Sequence, residues 1–189
     1  YVRWKPDFEL FKCAKYSKEI LGMFYKYVYD TAMISGVDVY LNGKRIPVKN
    51  LGDYVKFYNV GSEKYFISSR TCNVYIAPSN SGQFEHVAFT NGVYNKDGGI
   101  HVQMWSDAIF KPLLQKIRTM KNASFITLKD VTKYFKLFIN SKIVNPEFDS
   151  QSKTRLISPK VIANMDGAGI RKIMKWSFME DIKDMILQK

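Results

Sequence analysis

The chain has 189 residues, of which 46% are hydrophobic and 24% are charged, so it is expected to be globular rather than disordered. Its net charge of +12 suggests an acidic partner, most simply nucleic acid. Cys13 and Cys72 lie far apart, which argues against a disulfide scaffold and suits a reducing compartment. The sequence has no signal peptide and no apolar run that approaches a membrane span, so we expect an intracellular protein without a membrane partner.

The first 34 residues predict a strand and a helix. Residues 1–6 alternate apolar and polar side chains, which is typical of a strand. They begin without a methionine, and we expect the chain to be a piece of a larger protein. Between about Lys15 and Ile34, apolar residues recur at helical spacing and predict an amphipathic helix.

The next part predicts a hairpin, a short helix and three strands. Asn42-Gly43 is a strong hairpin turn between strands at Val37–Leu41 and Lys44–Val48. Residues 51–58 predict a short helix, and we expect its aromatic side chains to pack in the core rather than to stack on nucleic-acid bases. Short connections between the following strands predict an antiparallel meander of residues 65–69, 72–77 and 84–90.

A glycine pair, Gly98-Gly99, permits a tight turn before a helix. We predict that helix from Trp105 to Ile117, with an interruption or kink at Pro112. His101 follows the glycines. A lone histidine is weak evidence of catalysis, so we expect a structural role in which it bonds the loop or caps the helix.

No acidic residue lies between Asp107 and Asp130, whereas basic residues accumulate there. They are either the solvated end of a helix, where cations suit the backbone dipole, or a surface that contacts nucleic-acid phosphates. The sequence leaves both readings open. The candidate nucleic-acid contacts are Lys111, Lys116, Arg118 and Lys121.

The last third predicts further regular elements. Residues 128–134 predict a short helix that starts at Thr127 or Asp130, and residues 135–144 predict a strand. A helix that connects two parallel strands makes a right-handed crossover. Two helices are predicted near the C-terminus. The first has Ser158 as N-cap and Pro159 at its first position, and it is broken by Gly167 and Gly169. The second is a longer amphipathic helix over Ile170–Leu187 that leaves the domain.

Residues 145–153 read Asn-Pro-Glu-Phe-Asp-Ser-Gln-Ser-Lys and predict a loop, because Pro146 cannot continue a helix or a strand ladder. In an extended segment, residues two apart point to the same side, so Gln151 and Lys153 could reach one target. Lysine is a mobile point charge suited to a terminal phosphate. Chemistry alone favours a solvated surface loop.

This string resembles the conserved loop of type IIA DNA topoisomerases in their eukaryotic and large-DNA-virus form, which usually ends in Gln-Thr-Lys. Ser152 replaces the threonine and keeps its hydroxyl. Ile100 departs from the family's Gly-Gly-Thr-His-Val motif. The resemblance covers almost the whole chain, in order, through Lys5-Pro6-Asp7, Tyr29-Asp30, the hairpin Val-x-Leu-Asn-Gly-Lys and Gly98-Gly99-Ile100-His101-Val102.

The resemblance implies an α+β fold of the transducer type. This is a split β-α-β fold, as in some ribosomal proteins, with a mostly antiparallel sheet, helices on one face and a C-terminal exit helix. Residues 1–34 would end the ATPase domain, residues 35–157 would form the transducer, and residues 158–189 would lead as exit helices to the DNA-cleavage core.

The resemblance also implies a segment of an ATP-hydrolysing enzyme that passes one duplex through a transient double-strand break. Gln151 and Lys153 would bind the γ-phosphate, with Lys153 as a catalytic aid and a sensor. ATP and Mg²⁺ would be held mainly by the ATPase domain outside this segment. The partners would be double-stranded DNA, the rest of the chain and a second copy, in the nucleus or, for a viral protein, in host cytoplasm or virion.

We expect the segment alone to be inactive, since it shows no Gly-rich nucleotide lid, no acidic metal cluster and no residue that matches the family's water-activating Glu or DNA-cleaving tyrosine. Two other functions remain open. A stand-alone nucleic-acid-binding module of ribosomal-protein-like fold would explain the charge but leaves Gln151 and Lys153 without a role. A dimerisation or lever element would tolerate the loss of charge at Lys153.

Overall fold

The structure, a computed structural model, describes residues 1–188, and Lys189, the last residue of the predicted exit segment, lies outside them. The chain divides into two compact units, the first Tyr1–Asn50 and the second beginning at Leu51. A search of residues 1–188 finds no helix with the length and apolar character of a membrane span.

The first unit contains the predicted helix, α1, Lys18–Ser35. Its N-terminus is capped by Ser17, whose hydroxyl accepts a hydrogen bond from the Ile20 N–H at 3.3 Å. It ends at Gly36, which adopts the left-handed conformation that glycine reaches without a steric penalty. Local capping chemistry therefore fixes both ends of α1.

The predicted hairpin is also confirmed, although its strands are shorter. β1, Tyr40–Leu41, pairs antiparallel with β2, Lys44–Arg45. The turn residues Asn42 and Gly43 both have positive φ, 50° and 77°, as a two-residue turn between twisted strands requires.

The strand predicted at residues 1–6 is not formed. An alternating pattern can give a strand two faces, but a strand also needs a neighbour's N–H and C=O groups, and no strand within residues 1–188 pairs with this segment. Instead, the ring of Trp4 lies edge-on to Tyr16 and to Phe24, with centroids 6.4 Å apart in both pairs.

The second unit is built on a five-stranded sheet within the described residues, in the order β3-β4-β7-β5-β6. Its strands are β3, Tyr65–Ser68; β4, Cys72–Pro78; β5, Glu85–Thr90; β6, Val93–Tyr94; and β7, Phe135–Ser141. β7 is parallel to β5 and antiparallel to β4. The predicted meander is therefore wrong, because β7 lies between β4 and β5. Phe135, Leu137, Phe138 and Ile139 are all fully buried, so β7 has apolar groups on both faces and belongs in the centre of the sheet.

Helices and a second hairpin complete this unit. They are α2, Leu51–Val55, followed by a 3₁₀ turn, Lys56–Tyr58; α3, Ile100–Arg118; α4, Leu128–Thr132; the hairpin of β8, Glu147–Phe148, and β9, Leu156–Ser158; α5, Gly167–Ile173; and α6, Phe178–Leu187. α3 begins directly after Gly99, ahead of the predicted Trp105, and it continues through Pro112. Of the two residues predicted at the start of α4, Thr127 is the N-cap, and Asp130 completes a capping box with it.

The core lies between one face of the sheet and helices α3–α6. Trp105, Ile109 and Leu113 of α3 pack in one cluster with Val74 and Leu137 of the sheet, and with apolar residues of the other three helices. On the opposite face, Tyr54 of α2 lies 5.8 Å from Phe89, measured between ring centroids. The α+β fold is thus confirmed, with α3–α6 on the predicted single face and the short α2 on the other.

The helix predicted to start at Ser158 and Pro159 is absent. Ser158 ends β9 instead and donates its hydroxyl to the Glu147 carboxylate at 2.6 Å. Gly167 and Gly169 do not break a helix but begin α5. The Asp166 carboxylate accepts a hydrogen bond from the Gly169 N–H at 2.7 Å, and a Cβ at Gly169 would lie 2.8 Å from the Tyr65 ring. Gly169 is therefore needed for close packing.

The single helix predicted over residues 170–187 is two helices, α5 and α6. Between them, the Glu63 carboxylate accepts hydrogen bonds from the Ser177 N–H at 2.7 Å and from its hydroxyl at 2.8 Å. Trp176 turns into the core at the same place. These contacts with distant residues interrupt a helical pattern that is continuous in the sequence.

Candidate functional site

Lys153 lies near the tip of the β8–β9 hairpin. Glu147 and Phe148 pair with β9, so the first part of the predicted loop is a strand. Gln151 and Ser152 form the turn, and the Lys153 N–H donates to the Ser150 carbonyl at 3.0 Å. The hairpin therefore presents the Gln-Ser-Lys sequence at its end.

The expected extended geometry of Gln151 and Lys153 is wrong. Gln151 lies in a turn, and Lys153 has the left-handed φ of 55°, so the alternation of an extended segment does not apply. Both residues are exposed, and within residues 1–188 neither side chain has a hydrogen-bonding or ion-pair partner. The Lys153 Nζ lies 5.8 Å from the centroid of the Phe148 ring, which is a weak cation–π contact. Both side chains can meet a target outside this chain.

The turn before α3 is hydrogen-bonded to the β8–β9 hairpin. The Asp97 N–H donates to the Thr154 carbonyl at 2.9 Å, and the Leu156 N–H donates to the Gly98 carbonyl at 3.0 Å. Gly99 has a φ of 130°, and an added Cβ would collide with the backbone of Leu156. The glycine pair therefore lets two backbone segments come into direct contact, in addition to starting α3.

One side chain from this turn reaches Lys153 itself. Asn95 is fully buried, and its Nδ2 donates to the Lys153 carbonyl at 2.9 Å. Asn95 could not be recognised from the sequence, because its partner lies 58 positions away and no local pattern marks such a contact.

His101 is structural, as expected, but not by the expected bonds. It is fully buried at the start of α3, and neither ring nitrogen has a hydrogen-bond partner within residues 1–188. Burial, together with a smaller effect of nearby His86, lowers the pKa of His101 to about 4. His101 is therefore neutral at physiological pH and neither caps the helix nor bonds the loop.

The predicted nucleic-acid contacts lie along α3 and just beyond it, and all four are exposed. Lys111 forms an ion pair with Asp107 at 3.0 Å, and the Arg118 Nε donates to the Ile126 carbonyl at 2.9 Å. Lys116 and Lys121 form no ion pair in the described part of the chain. At roughly 100° per residue, Lys116 lies on a different side of α3 from Lys111 and Arg118, so the four do not share one helix face.

A set of metal ligands is not part of this site. Within residues 1–188, no three His, Cys, Asp or Glu side chains are grouped so that they could hold a metal ion. What the hairpin offers is a lysine cation and an amide donor, which suit a phosphate group rather than a metal.

Comparison with known proteins gives consistent matches. A family described as DNA gyrase B matches residues 38–189. The chain is 34% identical over 198 residues to DNA topoisomerase 2 of Invertebrate iridescent virus 6, which covers the whole of this chain and 17% of that protein. It is 28% identical to human DNA topoisomerase 2-alpha, over 93% of this chain and 13% of that protein.

Solved structures resemble the fold. The ATPase region of Saccharomyces cerevisiae topoisomerase II matches with a TM-score of 0.79 and 26% identity, over 96% of this chain and 48% of that one. The ATPase and transducer domains of DNA topoisomerase II from Balamuthia mandrillaris match with a TM-score of 0.81 and 25% identity, over 93% of this chain and 47% of that one. The chain thus spans about half of these regions and a much smaller share of the complete relatives.

Proposed function

Because the chain belongs to the DNA gyrase B family and, within it, to the type IIA DNA topoisomerases, we propose that it is the transducer segment of an ATP-dependent enzyme of this kind. The complete enzyme passes one DNA duplex through a transient double-strand break in another. This segment senses the γ-phosphate of ATP and transmits the nucleotide state towards the DNA gate.

Each part of the chain takes a place in this scheme. Residues 1–34 end the ATPase domain, residues 35–157 form the transducer, and residues 158–189 lead towards the DNA-cleavage core. The hairpin of β1 and β2, which is part of the first compact unit, belongs to the transducer in this division. ATP and Mg²⁺ are bound mainly by the ATPase domain outside this chain, and the enzyme acts as a homodimer on double-stranded DNA.

The observation that carries the proposal is the state of Lys153. A phosphate contact requires a cation that is held in place but is not already neutralised by another side chain. Lys153 meets both conditions, because its backbone is fixed by Asn95 while its ammonium group is exposed and has no ion pair within residues 1–188. Gln151, two residues earlier in the same turn, adds an amide donor.

In this role, Lys153 stabilises the negative charge that develops on the transferred phosphoryl group. A cation already in place does so without reorganisation at the moment of reaction. Once hydrolysis removes the γ-phosphate, Lys153 and Gln151 lose their contacts and the hairpin is released. Because the hairpin is bonded to the turn that starts α3, its movement reaches the helical layer of the domain.

DNA contacts are proposed on the basic residues of α3 and the turn after it. Lys116 and Lys121 are the strongest candidates, since Lys111 and Arg118 already have partners within this chain. The enzyme works inside the cell, in the nucleus or, if viral, in host cytoplasm or virion. A stand-alone nucleic-acid-binding module is less favoured, because it gives the Gln-Ser-Lys turn no task.

The test is ATP turnover, with and without DNA, in the parent enzyme that carries Lys153→Ala. Loss of such a donor is expected to lower turnover roughly a hundredfold. Lys160→Ala is the matched control, because Lys160 is an exposed lysine seven positions away. Equal turnover in both variants and in the unmodified enzyme would refute the γ-phosphate role.

A further inference from the structure

A buried hydrogen-bond chain leads from the sheet to the tip of the hairpin. Thr90, the last residue of β5, donates its hydroxyl to the Asn95 Oδ1 at 2.7 Å, and the Asn95 Nδ2 donates to the Lys153 carbonyl at 2.9 Å. Thr90 and Asn95 are both fully buried. Because the amide has one acceptor end and one donor end, the threonine bond fixes the NH₂ group towards Lys153.

The backbone of Asn95 is held as firmly as its side chain. Its N–H donates to the Ala88 carbonyl of β5 at 2.8 Å, and its carbonyl accepts a hydrogen bond from the Gly98 N–H at 3.0 Å. The donor that reaches Lys153 therefore starts from a fixed point on the sheet, next to the central strand β7.

Lys153 needs such a support. Its φ of 55° lies in the left-handed region, which residues other than glycine adopt uncommonly because the side chain crowds the backbone there. The Lys153 N–H donates within the turn, to the Ser150 carbonyl, whereas the Lys153 carbonyl accepts from Asn95. Of these two bonds, the one from Asn95 joins the strained residue to the sheet.

We infer that Asn95 is a positioning residue, which fixes the backbone of Lys153 so that its ammonium group is aimed at the γ-phosphate. This inference rests on the proposed function of Lys153. Asn95 does not touch the nucleotide, and Thr90 acts one step further back by orienting the Asn95 amide. A loss of this bond should lower the rate of ATP hydrolysis more than the affinity for ATP, because a misplaced ammonium group loses more stabilisation of the transition state than of bound ATP.

The test is a double-mutant cycle on ATP turnover in the parent enzyme, with Asn95→Ala, Lys153→Ala and the combined variant. Asn95→Ala alone should lower kcat roughly tenfold to a hundredfold. In the Lys153→Ala background, the same change should cost less than about twofold, because Asn95 acts through Lys153. An equal loss in both backgrounds would overturn the inference, since it would mean that Asn95 acts only through stability.

A second pair of variants guards against failure to fold. Thr90→Val keeps the shape but removes the hydroxyl that orients Asn95, whereas Thr90→Ser keeps the hydroxyl and should retain turnover. Trypsin should cut after Lys153 or Arg155 faster in Asn95→Ala and Thr90→Val than in Thr90→Ser. Equal cleavage and turnover in all of them would overturn the inference.

The outcomes separate the two proposals. Unchanged turnover in Lys153→Ala would overturn the proposed function and this inference together. Lost turnover in Lys153→Ala with normal turnover in Asn95→Ala would overturn the inference alone.

Discussion

Lys153 and His101 show how the surroundings of a side chain decide its role. Lys153 projects from a turn, has no ion pair within residues 1–188 and can meet an anion. His101 is fully buried without a hydrogen bond in the described part of the chain, and burial lowers its pKa to about 4. The ring therefore fills space as a neutral group. The sequence shows both as polar residues inside family motifs and cannot show this difference in burial.

The buried imidazole of His101 predicts a dependence of stability on pH. Its pKa of about 4 in the folded state lies below the ordinary value of 6.5, so between these values the unfolded chain binds a proton that the folded chain does not. Stability should fall as the pH drops from 6.5 to 4 and should level off below that range. The contribution is about 3 kcal/mol.

Urea unfolding of the chain at pH 7 and pH 4.5 measures this effect. Carboxylates also lose stabilising contacts in acid, so the comparison is with His101→Leu, which cannot bind a proton. His101→Leu should lose less stability between the two pH values than the unmodified chain. Equal losses would show that His101 takes up its proton in the folded state as readily as in water.

At the scale of elements, local sequence signals predicted the structure well where neighbouring residues determine it. They did not predict features that depend on contacts between distant residues. The turn at Asn42-Gly43 and the helix start at Thr127 depend on residues within four positions, and both predictions are confirmed. The position of β7 in the sheet depends on burial of both its faces. The break between α5 and α6 depends on Glu63, which lies 114 positions from Ser177. No periodicity within one segment contains that information.

The contact of Glu63 with Ser177 should stabilise the start of α6. Its carboxylate accepts the Ser177 N–H and hydroxyl, as a capping residue does. Glu63→Ala should lower the free energy of unfolding by about 1 kcal/mol, measured by urea titration. The control is Glu180→Ala, which removes an exposed carboxylate that pairs with Lys183 in the first turn of the same helix but does not bond the Ser177 N–H, and it should cost less than about 0.5 kcal/mol. Similar losses in the two variants would mean that Glu63 does not act as a cap.

At the scale of the whole molecule, the motif string identified the family and predicted Lys153 as a phosphate contact, and the structure supplied the backbone geometry at that residue. The order of the motifs along the chain sufficed to predict a transducer-type α+β fold. The left-handed backbone of Lys153 and its support by Asn95 could not be predicted, because they arise from packing between segments far apart in sequence. The net charge of +12 likewise does not show which cations are available to a partner. That information comes from the ion pairs in the structure.

Lys116 and Lys121 should contribute to DNA binding by the parent enzyme. Affinity for DNA falls as salt concentration rises. Each phosphate contact that is lost makes the slope of log affinity against log salt concentration less steep by about 0.9. The double variant Lys116→Ala and Lys121→Ala should bind DNA more weakly and with a slope reduced by roughly one to two. Lys56→Ala serves as control, because Lys56 directly follows α2, which packs on the opposite face of the sheet. An unchanged slope in the double variant would place the DNA contacts elsewhere.

The contact between Lys153 and the γ-phosphate is tested most directly by nucleotide affinity. The measurement compares the Kd of a non-hydrolysable ATP analogue with that of ADP, in the parent enzyme and in its Lys153→Ala and Lys160→Ala variants. A hydrogen bond to a charged group is worth about 1.5–3 kcal/mol, so Lys153→Ala should weaken analogue binding roughly tenfold or more. ADP affinity in that variant, and both affinities in Lys160→Ala, should stay as in the parent. If Lys153→Ala keeps the parent's preference for the analogue over ADP, Lys153 does not contact the γ-phosphate.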